Sequence, residues 1–322
     1  MIPNFTFVRP KSLKEAVELL AKPGARAHSG GTDLLGCLRD EVFTAGKVVS
    51  LTGLSELKGI APSGAGLRIG ALTTLAQVAG DPKVAATYRV LSEGAASAAS
   101  PQLRNQGTLG GNLCQRPRCW YFRGEFHCLR KGGETCYAVD GENQFHALFG
   151  GGPCYIVHPS DTASPLIALE ARFRIVGPSG TRTVDAESFF VLPDVDIQKE
   201  NVLRPGEILT EVLVPAPPAG SRSTYLKVRS RGSWDFALAG AAVVLVVAGG
   251  KVTKARVVLS GVAPVPWRAK KAEEALTGKV LDPAAIRTAA EAAVALAQPM
   301  SGNAFKVDVV RGAVEEALLA IA

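Results

Sequence analysis

The order of elements legible in the sequence is that of an α+β fold. A small α/β unit opens the chain. Near the other end, a run of strands is followed by a run of helices. The chain has 322 residues, 47% of them hydrophobic and 20% charged. At roughly 100–200 residues per domain this suggests two domains with ample core, and it excludes disorder as the main state.

The first unit rests on local chemistry. Ser12 to Leu20 reads as a helix: Ser12 and Glu15 supply a capping box, and Leu13, Ala16, Val17 and Leu20 share one apolar face. A glycine-rich turn follows, and Lys47 to Leu51 is a short β-branched strand. Leu67 to Ala71 is the next strand, with Thr74 and Gln77 capping the helix after it. Glu93 to Ser100 is a small-residue helix that stops before Pro101. From Gln102 to Pro159 the chain is turn-rich. Ala163 to Leu169 fits helix or strand, and Ala171 to Val176 alternates as a strand.

At Gly177-Pro178 the character changes, and the expected domain boundary lies near 177–180, giving domains 1–177 and 178–322. Residues 178–222 read as loop-rich. Tyr225 to Arg229, Phe236 to Val247 and Val252 to Leu259 read as strands, with Gly249-Gly250 as a hairpin turn. Helices are expected over 269–276, 283–296 and 309–321. The longest apolar run, Phe236 to Ala248, is too short to span a bilayer and reads as a buried strand. Met1 to Phe5 has no basic region leading into an apolar stretch, so neither a secretory signal nor a membrane span is expected.

The net charge is +7, from 36 Lys and Arg against 29 Asp and Glu. The bases are scattered rather than gathered in a patch, which argues against nucleic acid and suits an anionic cofactor or an acidic partner. Two glycine-rich segments stand out, Ser29-Gly30-Gly31-Thr32-Asp33 and Gly107-Thr108-Leu109-Gly110-Gly111-Asn112. Neither fits the Rossmann fingerprint or the P-loop. Both suit a nest in which successive backbone N–H groups cradle a pyrophosphate, and both suit plain turns.

Five of the six cysteines fall between 114 and 154: Cys114, Cys119, Cys128, Cys136 and Cys154. Disulfides, a structural zinc site, an iron–sulfur cluster and unmodified buried thiols all remain open on spacing. The paired spacing of zinc knuckles and the two-residue spacing of ferredoxins are both absent. Arg116, Arg118, Arg123, Arg130 and Lys131 surround these cysteines; cationic neighbours favour thiolate and offset the charge of a ligated cluster, while a solvated basic loop is the plain alternative.

Taken in order, several segments resemble one family. They are Ala27-His28-Ser29-Gly30-Gly31-Thr32-Asp33-Leu34, Arg104 to Asn112, Pro159-Ser160-Asp161, Gly206-Glu207-Ile208-Leu209, and Lys227 followed by Arg229 and Asp235. Together they resemble the FAD-binding subunit of the molybdenum hydroxylases, the xanthine dehydrogenase and carbon monoxide dehydrogenase family. The resemblance implies an α+β fold in which an FAD-binding region of two small α/β subdomains precedes an antiparallel sheet with three helices. It implies an FAD site formed by Ala27, His28, Ser29, Gly30, Gly31, Thr32, Asp33 and Leu34 from the first loop. Thr108, Leu109, Gly110, Gly111 and Asn112 come from the second, with Asp161 on a flavin or ribose hydroxyl and Leu209 and Lys227 lining the site. A helix N-cap is the other reading of Asp161.

About 45 residues separate Gly-Gly-Asn from Ser-Asp, an insertion over about 113–154 that departs from most members. Gln115 to Arg123 and Gly141 to Ala147 resemble the bacterial aldehyde oxidoreductase branch, whose flavin subunit carries a [4Fe–4S] cluster. By that resemblance Cys119, Cys128, Cys136 and Cys154 are its ligands, while Cys114 and Cys37 are not, and His146 has a hydrogen-bonding role. The implied function is electron transfer in a heterotrimer or higher assembly. The molybdenum cofactor and the [2Fe–2S] clusters sit on partner subunits, and electrons leave to an external acceptor. A 4-hydroxybenzoyl-CoA reductase-like or xanthine dehydrogenase-like complex, a free-standing vanillyl-alcohol-type oxidase and a zinc-binding interaction module are the alternatives. The expected compartment is cytoplasmic, or periplasmic by co-export with a signal-bearing partner.

Overall fold

A computed structural model describes residues 2–322. The first unit holds β1 (Thr6–Val8), α1 (Leu13–Leu20), β2 (Ala25–His28), α2 (Leu34–Arg39) and β3 (Lys47–Ser50). Its sheet is parallel, in the order β1-β3-β2. The Ser12 hydroxyl accepts the Glu15 N–H at 3.2 Å, but the Glu15 carboxylate takes the Lys11 N–H, so the expected capping box is half formed. The loop after β2 emerges at the carboxyl end of a parallel sheet, the usual place for a ligand in such units.

The second unit begins with the hairpin β4 (Ile60–Ser63) and β5 (Gly66–Gly70). A helical run follows: α3 (Leu75–Gly80), α4 (Pro82–Thr87), α5 (Arg89–Ser97), α6 (Pro101–Gln106) and α7 (Leu109–Leu113). Thr74 and Gln77 complete a reciprocal capping box on α3. The cysteine-rich segment is largely irregular apart from α8 (Trp120–Arg123). Then come α9 (Ala163–Ala168), β6 (Arg172–Gly177), β7 (Gly180–Asp185) and β8 (Ile208–Val214). The five strands form one antiparallel sheet in the order β4-β5-β8-β6-β7.

This sheet corrects two expectations. Residues 178–222 are not merely loop: β8 is the central strand, buried at every position but Leu213. The expected boundary at 177–180 is the β6–β7 turn, where Gly180 takes φ +105°. The Gly-Pro punctuation there marks a turn within a sheet.

The third sheet runs β12-β11-β10-β9, from β9 (Ser221–Val228), β10 (Ala239–Ala248), β11 (Lys251–Ser260) and β12 (Trp267–Arg268). Gly249 and Gly250 both take positive φ in the β10–β11 turn, as a two-residue hairpin of this hand requires. α10 (Lys270–Leu276), α11 (Pro283–Val294) and α12 (Phe305–Leu319) follow. The unbroken apolar run of β10 has a direct cause. Ala241, Val243 and Leu245 pack toward these helices, while Ala242 and Val244 join the core of the second unit. A strand covered on both faces loses the alternation of a half-exposed one.

The cysteine-rich segment is pinned from the far end of the chain. Asn143 donates to Ser301 Oγ at 3.0 Å and accepts the Gly302 N–H at 2.8 Å. The fully buried Lys306 donates to the carbonyls of His146 (3.0 Å) and Gly261 (2.8 Å). Burial pulls its ammonium down to about 7. Leu148 and Phe149 are inserted in the core beneath α10–α12. Among the described residues no helix is long and apolar enough to cross a membrane.

Candidate functional site

The two glycine loops meet. A Cβ on Gly30 would lie 2.0 Å from the Gln106 carbonyl oxygen, so only glycine allows the first loop to rest on the backbone entering the second. Gly31 takes φ +74° and turns the chain into α2. Thr108 joins the loops through its hydroxyl, which donates to Ser29 Oγ at 3.1 Å and accepts the Gly111 N–H at 3.1 Å. A Cβ on Gly111 would fall 2.9 Å from Ser29 Oγ, and one on Gly110 would fall 2.8 Å from the Ala71 Cβ. Among the described residues, the backbone N–H groups of Gly30, Gly31, Thr32 and Asp33 have no acceptor within the chain. Donors left open in this way, half-buried at Gly30, Gly31 and Asp33 and exposed at Thr32, suit an anionic or polar ligand.

These loops line a cleft of ≈ 680 Å³, within the usual range of small-molecule sites. Ala27, His28, Ser29, Gly30, Gly31, Thr32, Asp33 and Leu34 all line it, as do Thr108, Gly110, Gly111, Asn112, Asp161 and Leu209. Leu109 does not: it is fully buried in the core of the second unit. Its place in the motif is structural, because it anchors α7 while its glycine neighbours face the cleft. The sequence reading did not assign to the cleft Arg116, Glu207 or the β9–β10 loop residues Arg231, Trp234 and Phe236, which also line it. Burial lowers the pKa of His28, which leaves its ring neutral at pH 7.

Asp161 lies in the cleft wall as the acceptor in a buried cluster. Its Oδ1 accepts from Tyr225 Oη at 2.9 Å and its Oδ2 from Lys227 Nζ at 2.8 Å. Burial pushes the Asp161 carboxyl up, opposed by the Lys227 ammonium. Lys227 therefore does not line the cleft; it sits behind Asp161 and also donates to the Ser97 carbonyl at 3.1 Å. Nor does Asp161 cap α9. Ser160 takes that role, accepting the Ala163 N–H at 3.1 Å, and both Ser160 and Thr162 donate to Asn112 Oδ1. The Ser-Asp motif is thus tied to the second glycine loop. Tyr225 carried no sequence signal, since its partner lies 64 residues away.

Every basic side chain around the cysteines is engaged. Asp33 binds Arg118 (2.9 Å) and Arg123 (2.7 Å), and it accepts the Arg116 N–H at 2.8 Å. The buried Glu200 bridges Arg116 (3.0 Å) and Arg130 (2.6 Å). Lys131 donates to the Gly124 carbonyl. The solvated-loop reading fails most clearly at Arg130, which is 3% exposed. Glu200 escaped the sequence reading because a lone acid in a loop has no pattern.

None of the six cysteines is joined in a disulfide. Cys119 packs against Cys128 and Phe122, and it accepts the N–H groups of Phe122 and Tyr121. Burial above all pushes it up to about 11, with the nearby Cys128 and Cys136 contributing to the rise. Cys136 and Cys154 hydrogen-bond to one another. The Cys154 thiol, with the N–H groups of Tyr155, Ala138 and Val139, draws Cys136 down to about 6, and the same bond drives Cys154 upward. Cys119, Cys128, Cys136 and Cys154 therefore form one neighbourhood. Cys114 is pushed to about 12 by burial and lines the cleft, and Cys37 lies in the core. His146 Nε2 is 3.3 Å from Cys119 Sγ. Among the described residues, no three His, Cys, Asp or Glu side chains are placed to hold a single metal ion.

Residues 3–217 match the family described as the FAD binding domain in molybdopterin dehydrogenase. Residues 224–321 match the CO dehydrogenase flavoprotein C-terminal domain. The aldehyde oxidoreductase FAD-binding subunit PaoB of Escherichia coli (strain K12) is 35% identical over 308 residues, 94% of this chain and 93% of that protein. The carbon monoxide dehydrogenase medium chain of Hydrogenophaga pseudoflava is 31% identical over 300 residues, 92% and 88% of the two chains. A solved carbon monoxide dehydrogenase from that organism superposes with a TM-score of 0.80 at 32% identity, covering 100% of this chain and 98% of its own.

Three outcomes follow from the geometry. Gly30→Ala pushes a methyl group into the Gln106 carbonyl, so it is expected to abolish flavin retention, whereas Gly46→Ala, with open space around it, leaves retention unchanged; acid-released flavin per chain reads both. Asp161→Asn leaves Lys227 buried without its counter-charge, at a cost of about 3–5 kcal/mol, which a second change, Lys227→Met, largely recovers; a loss below about 1 kcal/mol in denaturant titration would contradict the buried pair. His158 is held neutral, with burial lowering it from 6.5 to about 4. Its contribution is present above pH 6.5 and is lost as pH falls from 6.5 toward 4, about 3 kcal/mol in all. His158→Asn flattens the stability–pH curve across that window, and an unchanged slope would exclude His158 as its source.

Proposed function

The chain belongs to the FAD-binding subunits of the molybdenum hydroxylase family, and from that premise we propose that it is the FAD- and [4Fe–4S]-carrying electron-transfer subunit of an aldehyde-oxidising complex. The substrate reaction belongs to a molybdenum-cofactor subunit, and a [2Fe–2S] subunit completes the heterotrimer. When bound, FAD supplies exchange between two-electron and one-electron chemistry, which no side chain here performs. The residues of this chain hold and orient it. The N–H groups of Gly30 to Asp33 meet the pyrophosphate, and the Thr108–Ser29 bond keeps the two loops in register. Asp161, fixed by Tyr225 and Lys227, presents a carboxylate to a flavin hydroxyl from the cleft wall.

The observation that carries the cluster is the gathering of Cys119, Cys128, Cys136 and Cys154. Backbone N–H groups aimed at Cys119 and Cys136 are the donors a sulfur ligand accepts. A cube of four irons spreads its four sulfur ligands more widely than a single ion does, so this neighbourhood suits it better than the zinc alternative. The buried Arg130 beside Cys154 offsets the negative charge of a thiolate-ligated cluster. The aldehyde substrate class rests on the likeness to PaoB, which covers 94% of this chain.

The test is Cys128→Ser in the purified complex. The expected result is loss of about four irons and of acid-labile sulfide per chain with FAD retained. Equal iron in variant and parent contradicts the ligand set.

A further inference from the structure

The cysteine-rich segment carries an aromatic face that nothing in the chain covers. Trp120, Phe126, Tyr137 and Phe145 are 36%, 45%, 37% and 46% exposed. They are joined in one web: Phe145 packs on Trp120 (5.7 Å between centroids), and Tyr121 links Trp120 (6.2 Å) to Phe126 (5.0 Å), which meets Tyr137 (5.1 Å). Large aromatics left in solvent as a connected set mark an interaction surface rather than chance exposure.

The rim of this face has a sign. Glu125, Glu134, Asp140 and Glu142 are all exposed. Glu125 precedes Phe126 in the chain, Asp140 lies in the turn that closes from Gly141 to Tyr137, and the Glu142 N–H donates to Tyr121 Oη at 2.7 Å. Against these four carboxylates the segment offers His127 and the half-buried Lys131, whose ammonium is taken by a carbonyl, while Arg116, Arg118, Arg123 and Arg130 are paired with Asp33 or Glu200. A chain of net charge +7 therefore concentrates acid around its exposed aromatics.

The face also lies over the cysteines. Trp120 directly follows Cys119 and Tyr137 directly follows Cys136, so two surface rings are one residue from two of the four sulfurs. The Trp120 ring also packs at 5.9 Å on His146, whose Nε2 is 3.3 Å from Cys119 Sγ. We propose that this acidic-rimmed aromatic face is the docking site of a small one-electron carrier protein with a basic rim around its redox centre. Aromatic contact gives the bound complex its lifetime, and opposite charge raises the encounter rate. One electron leaves the reduced complex and reduces the carrier by one; no bond forms or breaks. The electron route rests on the [4Fe–4S] reading, whereas the docking face stands on geometry and charge.

The test uses the purified, pre-reduced complex and ferricytochrome c, a basic one-electron carrier, as the probe. The variant carries Glu125→Gln, Glu134→Gln, Asp140→Asn and Glu142→Gln, and iron is counted in both proteins. The expected result is a fall of about tenfold or more in the second-order rate at low ionic strength. That difference closes at high salt, and reduction of a small neutral quinone is unchanged. Equal rates with ferricytochrome c at low salt, with iron present, overturn the docking face and leave the cluster reading intact. Charge-dependent docking in a chain without iron supports the face and overturns the cluster reading. A variant that no longer assembles with its partner subunits overturns the proposal, since the face is then an assembly interface.

Discussion

Everything in the cleft depends on one close approach, the contact of Gly30 with the Gln106–Gly107 backbone. It brings a loop from a parallel sheet against a loop between two short helices of a different unit. No side chain fits between them, so the backbone itself forms the floor. The Thr108 hydroxyl then fixes the register, reaching Ser29 in one loop and the Gly111 N–H in its own. The third element, Pro159-Ser160-Asp161, is drawn in by Asn112, which accepts from Ser160 and Thr162. Three segments far apart in sequence are thereby held by small residues and short polar side chains. That explains why glycine, serine, threonine and asparagine dominate the motifs.

Buried charge organises the surroundings. Asp33 and Glu200 each collect more than one basic partner from the cysteine-rich segment. Asp33 lines the cleft and also holds Arg118 and Arg123, while Arg116 lines the cleft and also holds Glu200. The cleft and the cysteine neighbourhood consequently share their ion pairs. Removing one member would strand a buried charge, which is the costly way to break such a pair. The pairs therefore act as a framework that fixes the cysteine-rich segment to the glycine loops, and Asn143 and Lys306 fix its other side to the last helix and the turn before it.

Local chemistry made part of this legible. The capping residues Thr74 and Gln77, the Gly249-Gly250 turn and the β-branched strands are decided by neighbours in sequence, and they form as read. β8 was hidden because its burial comes from β5 and β6, more than a hundred residues upstream for the former, and because Pro and Gly around it resemble loop punctuation. The glycine loops were legible as a pair of motifs, since backbone contact leaves a compositional trace. Glu200 and Tyr225 were not, because a buried partner reached through the fold leaves none. Leu109 and Lys227 show the converse error: residues inside a motif that serve the core and a neighbouring carboxylate instead of the cleft.

The paired glycine loops are proposed to grip a pyrophosphate. The most direct measurement is calorimetric titration of the flavin-stripped chain with FAD and, separately, with FMN. FAD is expected to bind ~100-fold tighter or more, about 2.7 kcal/mol, because only FAD carries a pyrophosphate for the unpaired N–H groups of Gly30 to Asp33 to bind. Equal affinity for FMN, or no binding of FAD, would contradict it.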